Sequence, residues 1–174
     1  MNPLTKLYLR TFLLTGIPYG IMMVGFDLMD GGAINIWKFL FLSISFGLLM
    51  SLTLVGFHQY KLRKGGVKNM DEASLAVSQE KMIQSSLNLL EAMKALESDQ
   101  KTRRMKMTEI QDGIRLKTPV TWKSWGEDVQ IIRLSEEDGT FEYQITSRPK
   151  VKTTIVDYGK NTENIALIES ILAE

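Results

Sequence analysis

Two apolar runs separated by a short polar loop occupy the first third of the chain. Phe39–Phe57 contains no ionisable side chain. A helix of that length rises about 28 Å, close to the thickness of the hydrocarbon core of a bilayer. Thr11–Phe26 is also uncharged, and its flanking residues lengthen it if Arg10 reaches toward the lipid headgroups. The pattern predicts transmembrane helices at residues 8–28 and 37–57.

The loop between the two runs, DLMDGGAINI, is too short to hold a domain and contains the turn signal Gly31-Gly32. Residues 1–60 are therefore predicted to form a two-helix transmembrane hairpin. A secretory signal peptide is the alternative for the first run, but no small-x-small cleavage site precedes Asp27. Lys and Arg concentrate before the first run and after the second, so the positive-inside rule predicts a multi-pass protein of the cytoplasmic (inner) membrane with both termini cytoplasmic.

Small residues recur every fourth position in both predicted helices, which places each set on one helix face where backbones can approach closely. We expect these faces to pack the hairpin against itself, with a dimer interface as the alternative; the residues are Gly16, Gly20, Ser43, Gly47 and Ser51. A basic juxtamembrane linker is predicted at residues 61–74. Its cations fix the topology and attract anionic lipid headgroups; they are Lys61, Arg63, Lys64 and Lys68.

Residues 75–174 are predicted to form an α+β domain, because their apolar residues recur in short strand-like and helical patterns. AVSQEKMI favours a strand, with the start of a longer helix as the alternative, and Leu87–Leu96 has helical spacing after a cap at Ser85 or Ser86. RMKMTEI, GIRLKTPV, DVQIIRL and TFEYQITSR have strand character, with turn signals at Asp112-Gly113 and Gly139. The apolar stripe in Thr162–Leu172 predicts a C-terminal helix that is capped by Asn161 or Thr162. We expect an antiparallel sheet in the order β-α-β-β-β-β-α, with the helices on one face.

Composition and charge exclude several functions. Beyond Phe57 the basic and acidic residues are equal in number, so a bulk attraction to nucleic acid is not expected. The chain has no cysteine, and its single histidine, His58, lies at the predicted membrane edge. No nucleophile, base and orienting group can be assembled from the remaining residues. We therefore expect neither an enzyme nor a bound metal or cofactor.

Two stretches are candidates for contact with a partner or ligand. Trp122 and Trp125 in TWKSWGED are interpreted first as covering an open end of the core and second as an exposed anchor for a partner. Arg148, Lys150 and Lys152 alternate before the closing helix, whose N-terminus follows at Lys160 and has free N–H groups that can hold an anion. The first interpretation of these cations is a solvated strand face followed by an ordinary helix cap.

Three segments carry a resemblance to a known family: KSWGE at residues 123–127, ITSRPK at 145–150 and VDYGKNTENI at 156–165. They resemble an uncharacterised family of small bacterial α+β domains, in which a SWGE turn precedes a hairpin and a DYGKN segment leads into the terminal helix. The resemblance covers residues 76–172 and implies an α+β fold that begins with a strand. It implies no activity and no ligand.

The sequence thus predicts an integral membrane protein that presents a cytoplasmic, non-catalytic binding or scaffolding domain. One alternative is a domain that binds a lipid or small hydrophobic ligand at the membrane surface, and another is an accessory subunit of a membrane transport complex. The expected partners are membrane lipid and either a second copy of the chain or a membrane protein complex. Nucleic acid is not expected.

Overall fold

The computed structural model describes residues 1–121 and 124–173. The chain divides into two units, Met1–Leu75 and Ala76–Glu174. The first unit is helical, and the second contains a sheet with two helices.

The first unit is built on two long helices, α1 (Pro3–Met29) and α2 (Ile36–Lys64), followed by the short α3 (Glu72–Leu75). By length and composition both long helices could cross a membrane. The Asn35 side chain caps α2 by accepting from the N–H groups of Trp37 at 3.0 Å and Lys38 at 3.1 Å. The predicted linker at 61–74 begins too early, because α2 continues through the last-turn cations Lys61, Arg63 and Lys64. Cations in a last turn complement the negative end of the helix dipole, which favours this extension.

Small residues form the contact between α1 and α2. Gly16, Gly20, Ser43, Gly47 and Ser51 are all buried. A Cβ atom at Gly16 would overlap the Ser43 carbonyl oxygen, and one at Gly47 would lie 2.8 Å from the Phe12 carbonyl oxygen. The two backbones therefore approach at distances that only glycine permits at these positions. These five residues pack one helix of the hairpin against the other.

The second unit is an α+β fold with a five-stranded antiparallel sheet. Its elements are β1 (Gln79–Ser85), α4 (Leu89–Ser98), β2 (Lys106–Ile110), β3 (Gly113–Lys117), β4 (Glu127–Glu137), β5 (Thr140–Pro149) and α5 (Lys160–Leu172). The strands lie in the order β1-β5-β4-β3-β2. The predicted order of strand, helix, four strands and helix is confirmed, and the alternative of one longer helix over AVSQEKMI is wrong.

One face of the sheet forms the core, because period-2 alternation places its apolar side chains together under α4 and α5. Register pairs Ile114 with Ile131 and Ile131 with Ile145 across three neighbouring strands. The buried cluster contains Ile83, Ala92, Leu96, Ile114, Leu116, Val129, Ile131, Phe141, Tyr143, Ile145, Ile165, Ile168 and Leu172. The opposite face carries mostly polar side chains, so the sheet has a covered face and an outer face.

Both predicted helix caps of this unit lie elsewhere. Asn88, not a serine, caps α4 by accepting from the N–H groups of Leu90 and Glu91 at 3.0 Å, while Glu91 Oε2 accepts from Asn88 N–H at 2.9 Å. This reciprocal capping box satisfies two donors that a single serine would leave to water. Helix α5 begins at Lys160, earlier than predicted, after Gly159 in the left-handed conformation at φ +75°.

Candidate functional site

A buried carboxylate holds the loop between β3 and β4, residues 118–126. Glu127 is the first residue of β4 and is 2% exposed. Its carboxylate accepts from the hydroxyls of Thr118 and Ser124, and its backbone N–H donates to Thr118 Oγ1 at 2.7 Å. Burying an ionisable group is costly unless hydrogen bonds replace its hydration. The bonds to Glu127 therefore tie both ends of the β3–β4 loop to the sheet.

Lys150 closes the same loop from the other side. Its Nζ donates to the Thr118 carbonyl oxygen at 2.7 Å, and its backbone N–H donates to the Gly126 carbonyl oxygen at 3.0 Å. Gly126 has φ +89°, and a Cβ there would lie 2.6 Å from Lys150 Nζ, so the turn requires glycine. Lys150 was predicted as a contact for a partner or ligand, but its ammonium group is used within the fold to hold the β3–β4 loop.

The tip of the β3–β4 loop exposes large apolar side chains. Trp125 is 71% exposed and Val120 is 62% exposed. The first interpretation of the tryptophans, as a cover for the core, is therefore wrong for Trp125, because the buried positions at this end are taken by Thr118, Glu127 and Ser147. Trp122, the other tryptophan of the prediction, lies outside the residues that the structure describes. A loop whose two ends are tied to the sheet thus displays the indole of Trp125 to solvent.

The N-terminus of α5 already holds a carboxylate. Asp157 accepts from the N–H of Gly159 at 3.1 Å, from the N–H of Asn161 at 2.9 Å and from Asn161 Nδ2 at 2.9 Å. The hypothesis that this N-terminus holds an external anion is thus wrong, because Asp157 occupies the position that the anion would take. The segment DYGKN supplies the cap of its own helix.

The sequence analysis missed a buried polar cluster that joins three segments. Asn161 is fully buried, and its Nδ2 donates to the Val77 carbonyl oxygen at 2.7 Å. Ser147 Oγ on β5 donates to Asn161 Oδ1 at 2.6 Å and accepts from Asn164 Nδ2 at 3.1 Å. The signal in the sequence was Asn161 and Asn164 at helical spacing beside the apolar stripe of α5. A polar pair on a buried helix face indicates a buried hydrogen-bond network.

The antiparallel topology brings basic side chains to one end of the sheet. β1, β2 and β4 begin at this end, and β3 and β5 finish there. The α5 N-terminus joins them through Asn161 and Ser147. We call this end, with the turns next to it, the basic end; its cations are Lys101, Arg103, Arg104, Lys106, Lys117, Arg148, Lys150, Lys152 and Lys160.

Acidic residues collect at the opposite end of the sheet, in the turns between β2 and β3 and between β4 and β5 and in the adjoining ends of β4 and β5. We call this the acidic end; its residues are Asp112, Glu136, Glu137, Asp138 and Glu142. The equal numbers of basic and acidic residues beyond Phe57 therefore hide a partial separation of charge, because the basic end also contains the acids Asp99, Glu127, Asp128, Asp157 and Glu163. Lys106 and Lys117 even lie directly opposite each other in the register of β2 and β3, an arrangement that costs stability.

Acidic side chains near the basic end are engaged within the fold. Asp99 accepts from the N–H groups of Thr102 at 3.0 Å and Lys101 at 2.8 Å, and these bonds lower the pKa of the Asp99 carboxyl. Asp128 receives two hydrogen bonds from Arg115, one of them from Nε at 2.8 Å. Arg115 is the main cause of the lowered pKa of Asp128, and the charges of Lys117 and Arg148 lower it further. Within residues 1–121 and 124–173, Lys160 is the one cation of the basic end that forms a side-chain ion pair, with Glu163.

Arg148 and Lys152 do not form the alternating basic face that the sequence predicts with Lys150. Strand β5 ends at Pro149, so the period-2 pattern stops before Lys150 and Lys152. Arg148 lies opposite Asp128 in the register of β4 and β5, on the outer face of the sheet. Lys152 is exposed in the following turn. The four predicted cations all lie at the basic end, but their side chains make different contacts.

The charge of Asp128 gives the unit a testable pH dependence. Arg115 lowers the pKa of Asp128 in the folded state. The charged Asp128 therefore stabilises the fold above the unfolded-state pKa of about 3.9, and this stabilisation is lost as the pH falls through the folded-state pKa. We expect Asp128→Asn to lower the free energy of unfolding by about 0.5–1 kcal/mol at neutral pH, since solvent screens this partly exposed pair.

Chemical unfolding of the full chain in detergent at several pH values measures this difference. The loss of unfolding free energy caused by Asp128→Asn should shrink as the pH falls below the ordinary pKa of an aspartate. Asp138→Asn in the exposed β4–β5 turn is the matched control and should have no comparable effect. An Asp128→Asn effect that stays constant down to acidic pH would contradict the assignment of Asp128 as a charged partner of Arg115.

A groove of about 720 Å³ lies next to the β3–β4 loop, between this loop, the 3-10 turn at Thr102–Arg104 and α5. Its lining combines the apolar side chains of Met105, Pro119, Ala166 and Leu167 with the cations of Lys101, Arg104 and Lys160 and the carboxylates of Glu127 and Glu163. Lys160 Nζ lies 3.4 Å from Glu163 Oε2, whereas Arg104 makes no side-chain ion pair with any residue in 1–121 or 124–173. The groove can accept a group that is both anionic and partly apolar.

Residues 1–121 and 124–173 contain no cluster of three or more His, Asp or Glu side chains that could hold a metal ion. Comparison of the chain with protein-family models, with curated proteins and with solved structures finds no match. The candidate site consists of the β3–β4 loop, the groove and the surrounding basic end. Its function is inferred from its own geometry.

Proposed function

We propose that this chain is an integral membrane protein in which the α1–α2 hairpin anchors a cytoplasmic, non-catalytic binding unit. The binding surface is the basic end around Trp125. The length and apolar character of α1 and α2 support the anchor. The Lys and Arg residues flanking the hairpin support the cytoplasmic position of both termini.

The single observation that carries the proposal is the exposure of Trp125 on a loop whose two ends are hydrogen-bonded to Glu127. A tryptophan left 71% exposed forgoes a large gain from burial, and an indole is a frequent anchor of binding interfaces. The bonds of Glu127 with Thr118 and Ser124 fix the ends of the loop before any partner arrives. Such preorganisation reduces the entropy lost on binding.

The bonding of the buried acid favours binding over catalysis. Glu127 lines the groove, but both of its carboxylate oxygens accept from hydroxyls of the β3–β4 loop. A general base has to reach the proton that it abstracts, and this carboxylate is committed to holding the loop. Its role is to position Trp125.

The chain has no cysteine, so a single introduced cysteine reports on one position. We expect Val120→Cys to react several-fold more slowly with a maleimide in native membrane vesicles than in purified, detergent-solubilised protein. The reason is that a bound partner covers the exposed loop tip. The vesicles are inverted so that the cytoplasmic surface is accessible, and labelling is quantified by mass spectrometry.

Glu137→Cys at the acidic end is the matched control and should react at the same rate in both preparations. Equal rates for Val120→Cys in the two preparations would overturn the proposed binding surface. A reporter fused to the C-terminus tests the topology separately. Reporter activity outside the cytoplasm would overturn the proposed orientation.

A further inference from the structure

We propose that the partner of the basic end is the anionic surface of the lipid bilayer, with Trp125 and Val120 entering the interfacial region. This inference rests on the proposed function and names the occupant of the same surface. It assigns the C-terminal unit a second attachment to the membrane, separate from the helical hairpin.

The charge distribution of the unit fits an anionic lipid surface. Most cations of the basic end are exposed, and within residues 1–121 and 124–173 Lys160 is the one among them that forms an ion pair. The nearby carboxylates of Asp99 and Asp128 are engaged within the fold. Each Lys or Arg near an anionic leaflet strengthens attachment about fivefold, which corresponds to about 1 kcal/mol. The acidic end, at the other end of the same strands, is repelled by the same surface. The two ends together select one orientation of the sheet toward the membrane.

The apolar tip of the β3–β4 loop fits the interfacial layer of a bilayer. Tryptophan is enriched there, since its ring is apolar while its N–H can remain hydrated. Val120 is exposed on the same loop and adds an apolar side chain. Glu127 and Lys150 hold the two ends of the loop, so Trp125 follows and precedes residues that are already bonded, Ser124 and Gly126.

The residue types favour lipid over a protein partner. Lysine predominates among the cations of the basic end, and lysine is depleted in protein–protein interfaces. A flexible ammonium group can follow mobile headgroups without a fixed geometry, which suits a fluid surface. The opposed pair of Lys106 and Lys117 repel each other in the free unit, and anionic headgroups between them would relieve that repulsion.

The connectivity of the chain also favours the basic end as the surface that meets the membrane. β1 begins at the basic end, so the segment that leads from α2 into the sheet joins the unit there. Val77 in that segment is bonded to Asn161 at the start of α5, which fixes the entry point. The surface closest along the chain to the hairpin is thus also the one that carries the cations and the exposed indole.

The test uses the full chain, with Val120→Cys carrying an environment-sensitive fluorophore, in nanodiscs of phosphatidylcholine alone or with added phosphatidylglycerol. Lipids with a shallow spin label quench the fluorophore when it enters the interface. We expect strong quenching in the anionic discs, weaker quenching in the zwitterionic discs, and loss of the difference at high salt. A fluorophore at Glu137→Cys should remain unquenched in both.

A charge variant separates docking from folding. Lys106→Gln combined with Lys117→Gln removes a repulsive pair, so the sheet should be at least as stable as before. Loss of two cations should nevertheless lower the ratio of docked to undocked protein about 25-fold. Arg133→Gln, outside the basic end, is the matched control and should leave docking unchanged.

Equal quenching in both lipid compositions, or equal quenching at Val120 and Glu137, would overturn the lipid assignment. If Val120→Cys is protected in native membranes but unquenched in anionic discs, the binding surface stands and its partner is a protein. If it is reactive in native membranes and unquenched in discs, both the proposed function and this inference fail.

Discussion

Asn161→Ala should lower the free energy of unfolding of the C-terminal unit by about 2–4 kcal/mol, because it leaves buried polar groups without partners. The asparagine side chain is fully buried and joins Val77, Ser147 and Asp157. Alanine cannot accept from Ser147 Oγ, and it leaves the Val77 carbonyl oxygen without the 2.7 Å bond that it now receives. The loss of these hydrogen bonds should destabilise β1, β5 and α5 together.

Native-state hydrogen exchange of the full chain in detergent measures this effect from the most protected amides of β1 and β5. Asn88→Ala is the matched control, since Asn88 caps α4 with its side chain but lies at the surface. It should cost about 1 kcal/mol, the usual value of an N-cap. A loss from Asn161→Ala no larger than the loss from Asn88→Ala would contradict the role of Asn161 as a buried joint.

Gly16→Ala should destabilise the hairpin by about 1–3 kcal/mol, the range of an overpacked contact. Its Cβ would overlap the carbonyl oxygen of Ser43 on α2, and a carbonyl oxygen within a helix cannot move aside as a side chain can. The helices must therefore separate, which loosens the contacts that the neighbouring small residues make. Thermal unfolding in a mild detergent, followed by circular dichroism, measures the change.

Gly25→Ala is the matched control in the same helix, because beyond its chain neighbours and the adjacent backbone of α1 no atom lies within 4 Å of its added Cβ. Alanine favours the helical conformation more than glycine, so this variant should be neutral or slightly more stable. Equal destabilisation by the two substitutions would show that helix propensity, and not the contact with α2, limits the stability of the hairpin.

Local patterns in the sequence predicted most of the secondary structure. Alternation in DVQIIRL and TFEYQITSR predicted two strands. The structure buries Val129, Ile131, Tyr143 and Ile145 of these strands, because a pleated strand sends successive side chains to opposite faces. The turn at Asp138-Gly139 was predictable, since glycine tolerates the φ of +75° found there. Spacing of small residues identified the contact faces of α1 and α2.

The candidate site was predicted less completely, because its contacts join residues far apart in the chain. Trp125 was identified as a candidate, but its exposure depends on the bonds that Glu127 makes with Thr118 and Ser124. Lys150 appeared to be a free cation, yet its ammonium group reaches the Thr118 carbonyl oxygen, 32 residues away. No periodicity within a short window reports such contacts.

The sequence by itself determined the two long apolar helices and the order of the strands and helices along the chain. These features depend on side-chain periodicity and on turn residues, which act over a few positions of the chain. Only the tertiary structure decided that an equal number of charges would separate into a basic and an acidic end. That separation arises because antiparallel pairing gathers the beginnings of three strands and the ends of two at one edge of the sheet, around the loop that exposes Trp125.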